Sequence, residues 1–111
     1  MNLSEYQKRA EETAIFPKSD KTLALSYVLL GLTSETGEIC GKLKKIIRDM
    51  GGRMTKEDRS SIKNELGDAL WYIAMLSREL NIDLNEVAMS NLRKLRSRKE
   101  RHVLSGSGDN R

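Results

Sequence analysis

Between Asp20 and Gly51 the apolar residues Leu25, Val28, Leu29, Leu32, Ile39, Leu43, Ile46, Ile47 and Met50 recur at helical spacing, and no stretch of the chain alternates with period two. A run of that length commits the chain to an all-α fold built around one long helix. Asp20 supplies its N-cap and Gly51-Gly52 its stop. Thr55-Lys-Glu-Asp58 has the form of a capping box and opens a third helix reaching about Leu80. Asp83-Leu-Asn-Glu86, a weaker box with Asp as the cap, opens a fourth through Val87, Leu92 and Leu95. A short first helix is expected from Leu3 to about Ile15, where Phe16-Pro17 breaks it. The 111 residues form one expected domain, a four-helix bundle-like unit over 1–104 with an irregular tail over 105–111.

Two acidic pairs of the same i, i+3 form lie inside these helices: Glu35-Thr-Gly-Glu38 on the second and Glu65-Leu-Gly-Asp68 on the third. Residues three apart share a helix face, so two packed helices can aim all four carboxylates at one spot. Such a cluster repels itself and raises its own pKa values unless a positive charge sits among them. The economical occupant is a hard divalent cation bound through oxygen, Mg²⁺, with Mn²⁺ as a substitute. At 100° per residue Glu35 and Glu65 fall at the flank of the apolar stripes, that of the third helix being Ile62, Leu66, Ala69, Leu70 and Ile73. Asp68 and Tyr72 fall just outside it.

Gly31, Gly37, Gly41 and Gly67 all lie within helical segments, each costing up to about 1 kcal/mol relative to alanine. Close helix crossing accounts for them, and at Gly37 and Gly67 a missing side chain also leaves room beside the acids. Trp71 and Met75 point away from the Leu66 and Ile73 stripe. A lone chain is expected to leave them wet, which predicts a homo-oligomer, a tetramer built from dimers or else a dimer, assembled through the third helix.

Charged residues make up 32% of the chain and hydrophobic ones 38%, a globular balance, and the single cysteine, Cys40, has no partner for an intrachain disulfide. No segment is long enough for a membrane span and no signal-peptide core opens the chain, so a cytoplasmic protein is expected. The net charge of +4 is concentrated in Arg93-Lys-Leu-Arg-Ser-Arg-Lys-Glu-Arg101. That run suits a smaller polyanion better than nucleic acid, because no aromatic residues interleave with it.

Gly31-Leu-Thr-Ser-Glu-Thr-Gly-Glu38, twenty-six residues, then Glu65-Leu-Gly-Asp-Ala-Leu-Trp-Tyr72 resembles the MazG-like all-α nucleoside triphosphate pyrophosphohydrolases, whose signature is ExxE followed by ExxD. Glu5-Tyr6-Gln7 with Ala10 and Thr13 is similar to the opening helix of shorter members, Asn91-Leu-Arg-Lys94 to their last helix, and the closing Gly-Ser-Gly-Asp-Asn-Arg to a tail found in some. The resemblance implies hydrolysis of a nucleotide substrate between its α- and β-phosphates. It also implies Mg²⁺ held by Glu35, Glu38, Glu65 and Asp68, and helical oligomers with sites near subunit contacts. It leaves the base open.

A water activated with help from Glu35 or Glu38 fits this chemistry, and the sequence does not decide between the two. Lys94 and Arg98, four apart on the last helix, are candidate phosphate contacts. Lys42, one turn after Glu38, is either another or the partner of a plain helix ion pair. Tyr72 is the first candidate to stack on the base, with Phe16 and Trp71 behind it. His102 has no ligand-spaced partner, which argues against a di-iron bundle. A basic nucleic-acid-binding module leaves the four acids unexplained. A non-catalytic helical interaction protein keeps the fold and drops the chemistry.

Overall fold

The computed structural model describes residues 1–111 as four helices: α1 (Leu3–Glu11), α2 (Lys21–Met50), α3 (Lys56–Glu79) and α4 (Leu84–Glu100). Their ends follow local chemistry. Asp20 caps α2 by accepting from the Leu23 N–H, and Gly51 closes it in the left-handed region at φ 60°, with the Gly52 N–H returning to the Ile46 carbonyl. Thr55 and Asp58 exchange side-chain and backbone hydrogen bonds in a complete capping box. Asp83 caps α4 and also accepts from the Ser4 hydroxyl at 2.7 Å, tying α1 to the α3–α4 turn.

α1 stops earlier than its sequence pattern predicts. The chain there tightens into i→i+3 backbone bonds, and the Ala10 carbonyl, already bonded by the Thr13 N–H at 3.1 Å, also accepts from the Thr13 hydroxyl at 2.7 Å and from Trp71 Nε1 at 3.2 Å. The chain then turns, leaves Ile15 exposed and drives Phe16 into the interior.

α2 and α3 form a long antiparallel hairpin, crossed at its far end by α1. The core sits there: Ala10, Phe16, Ala24, Val28, Ala74, Met75 and Leu84, with Trp71, Tyr72 and Leu76 against it. This reverses the expectation for α3. Met75 is fully buried and Trp71 packs on the core, while Leu66, Leu70 and Ile73 face outward, Leu66 at 55% exposure. Apolar residues occupy two faces of α3, and periodicity alone does not say which one α1 and α2 cover.

α4 packs on α1 and α3 but does not touch α2. The resulting radius of gyration, 17.1 Å, exceeds the roughly 13 Å of a compact chain of this length.

Candidate active site

Glu35 on α2 and Glu65 and Asp68 on α3 bring one carboxylate oxygen each to within 4.8 Å of one another. The reason is register. Glu65, Asp68, Tyr72 and Met75 follow one another on the α3 face that meets α2, so the acids continue the buried row toward solvent. Glu35 is set on α2 in the same way, two turns from Val28. Glu38, one turn farther, is exposed and stands outside the three-oxygen group.

The electrostatics are uneven. Partial burial, hydrogen bonding with Glu65 and the charges of Asp68, Glu65 and Glu38 push the Glu35 carboxyl above its usual range. Glu65 moves the other way, chiefly because Lys42 donates to it at 2.5 Å. A carboxylate raised by its neighbours, in a set made only of oxygens, matches the donors that a hard divalent cation takes.

Folding therefore favours the proton on Glu35, a contribution present below the unfolded pKa and lost as pH rises through the raised folded value. In chelator, Glu35→Gln should melt above the parent near neutrality, with that advantage shrinking as pH falls toward the glutamate range. Parallel melting curves from about pH 4 to 7 would contradict the assignment.

A cleft of about 410 Å³ opens beside the acids, lined by Thr13, Glu35, Asp68, Trp71 and Tyr72. Tyr72 and Trp71, at 5.0 Å between centroids and nearly perpendicular, form its aromatic wall. Phe16 does not line it. It is buried behind, edge-on to Trp71 and stacked on Tyr27 at 5.2 Å. Trp71 is pinned by its Nε1 donating to Thr13 Oγ1 at 2.9 Å. Tyr27 has no place in the sequence motifs, and Tyr6 enters there only within the Glu5-Tyr6-Gln7 resemblance, with no site role. Tyr27 completes the aromatic cluster beside Tyr72, and Tyr6 is held above its usual pKa by burial and by the Asp68 charge. The one signal for Tyr27 is its spacing, two turns before Glu35 on the same row.

The basic candidates are dispersed. Lys42 pairs with Glu65 and Ser61 of α3 rather than with Glu38. Lys94 is exposed on α4, which makes no contact with α2. Arg98 is buried and donates to the Asp109 carbonyl at 2.9 Å, fastening the tail to α4. Arg93 pairs with Glu86, and Arg101 donates to Ser97 and to the Arg111 carbonyl. Much of the basic run is thus spent within the chain. The largest depression, about 560 Å³, lies on α4 among Met89, Leu92, Leu95 and Leu104 and contains none of the acids.

Residues 24–103 match the family described as the MazG nucleotide pyrophosphohydrolase domain. The chain is also 48% identical over 114 positions to the Gene 37 protein of Mycobacterium phage L5, covering the whole of both chains. No solved structure matches it. The chain belongs to the MazG nucleotide pyrophosphohydrolase family.

Proposed function

We propose, from that membership, that the chain hydrolyses a nucleoside triphosphate, including deoxynucleotides, to the monophosphate and pyrophosphate, for pool control or house-cleaning in the cytoplasm. The observation that carries this reading is the convergence of Glu35, Glu65 and Asp68 beside a cleft walled by Tyr72 and Trp71.

Glu35, Glu65 and Asp68 would hold Mg²⁺, which when bound neutralises phosphate charge as pyrophosphate departs. Glu38 is the fourth carboxylate of the motif and is not engaged in the three-oxygen group, so it is assigned the proton of the attacking water. The water oxygen bonds to phosphorus, the bridge between the α- and β-phosphates breaks, and its electron pair leaves with pyrophosphate. Tyr72 and Trp71 bound the base, and Phe16 supports them from behind. Lys94 is assigned a phosphate contact. Pure protein should release pyrophosphate from a nucleotide panel with Mg²⁺ and none in excess chelator. Orthophosphate as the first product would reject the reading.

A homo-oligomer, dimer or tetramer, belongs to this proposal. Two observations support it: the open shape of the single chain and the exposed apolar residues that both hairpin helices carry, Leu66, Leu70 and Ile73 on α3 and Leu29, Leu43 and Ile47 on α2. Fully burying residues of this kind contributes ~1.5–3 kcal/mol each, and a two-fold axis repeats every contact. A second copy would also offer its basic α4 to Glu35 on α2, a helix that the chain's own α4 does not contact. Leu70→Glu should therefore give a helical monomer with greatly reduced turnover. A parent protein that scatters light as a monomer at micromolar concentration, with full activity, would refute this.

A further inference from the structure

Lys42 pairs with one carboxylate of the acid cluster, Glu65. Its ammonium donates to Glu65 Oε1 at 2.5 Å, to Ser61 Oγ at 2.6 Å and, at 3.5 Å, to the Ser61 carbonyl. Ser61 and Glu65 are one turn apart on α3, so they grip the ammonium from one side while its stem rises from α2. A Glu four residues before a Lys is the favourable order for a pair along one helix, and Glu38 offers it. Lys42 instead pairs across the hairpin with a carboxylate already crowded by Glu35 and Asp68. With three donors directed at Ser61 and Glu65, the ammonium can turn to a phosphate only by giving up one of these partners.

We infer that Lys42 is the built-in counter-ion of this carboxylate cluster, and that an entering divalent cation must displace it from Glu65. The inference rests on reading the cluster as a metal site. Two cations drawn to one carboxylate repel each other, so the lysine holds the empty cluster together and weakens metal binding by the free chain. Ser61 keeps the displaced ammonium close to the acids. The site would then fill most readily when the metal arrives with the added negative charge of nucleotide phosphates.

The test uses the full chain and Mn²⁺ alone, followed by the paramagnetic signal of the free ion. Lys42→Met, which keeps the apolar stem, should tighten Mn²⁺ binding by about tenfold or more, and Lys42→Arg should restore weak binding. In chelator, a double-mutant cycle of Lys42→Met with Glu65→Gln should show favourable coupling in thermal stability. Mn²⁺ affinity unchanged or weaker in Lys42→Met would overturn the inference, as would absent coupling. Unchanged Mn²⁺ affinity with a raised KM for every nucleotide would likewise overturn it, making Lys42 a phosphate contact. Failure of the metal-site reading has a different signature: no Mn²⁺ uptake by the parent or by Lys42→Met at millimolar metal.

Discussion

Asp68→Asn should lower turnover by at least ~10²-fold while leaving the helical content intact, because it removes one charge from a cluster whose three oxygens lie within 4.8 Å of one another. Glu35→Gln should do the same. Both should weaken Mn²⁺ binding by the free protein. Glu38→Gln should lose turnover to a similar extent, as expected for removal of a proton acceptor, yet retain most of its Mn²⁺ affinity. Pyrophosphate release and metal titration on the three variants separate the roles. If Glu38→Gln loses the metal as completely as Asp68→Asn, Glu38 is a ligand and the acceptor must be sought elsewhere. Near-normal turnover in all three would remove the site from these acidic pairs.

The second large effect is expected at a residue with no chemistry of its own. A Cβ placed on Gly31 would meet the Tyr72 ring at 2.6 Å from Cδ1 and closer still to Cε1 and Cζ. Trp71 and Tyr27 flank the ring, so it can yield only by moving within the cleft that it lines. Gly31→Ala should therefore cost about 1–3 kcal/mol of stability through overpacking, less whatever alanine's better helix propensity returns. It should also push Tyr72 out of the cleft wall and change the ranking of bases. Gly37→Ala and Gly67→Ala meet open space in the single chain and should be neutral or stabilising by up to about 1 kcal/mol in the metal-free protein. Thermal unfolding distinguishes them. If truncating the ring by Tyr72→Ala does not rescue Gly31→Ala, the clash is not the cause.

Helix boundaries were most legible where the chain carries its own stop signals. Asp20, Gly51, Thr55 with Asp58, and Asp83 act within a few residues of the groups they satisfy, so reading them requires no knowledge of the fold. α1 ends four residues short of its periodic pattern, where Thr13 and, from sixty-one residues away, Trp71 share the Ala10 carbonyl. The acidic pairs were legible as a unit because i, i+3 spacing repeats on two helices. Their division into a converging three and an outlying Glu38 depends on how α2 and α3 are rotated against each other.

By itself, then, the sequence determined an all-α chain, its four helices and the residue types that a hard cation requires, because helical periodicity and capping are local. Only the tertiary structure decided which of two apolar faces of α3 becomes core, since Met75 and Leu66 are equally fit for burial until α1 covers one side. That choice transferred the exposed patch from Trp71 and Met75 to Leu66, Leu70 and Ile73. It also decided the partner of Lys42, which two helices brought together across a packed interface set on Glu65 rather than on its neighbour in sequence. A long flexible stem reaches either carboxylate, and the partner follows from which one the packing holds in place beside Ser61.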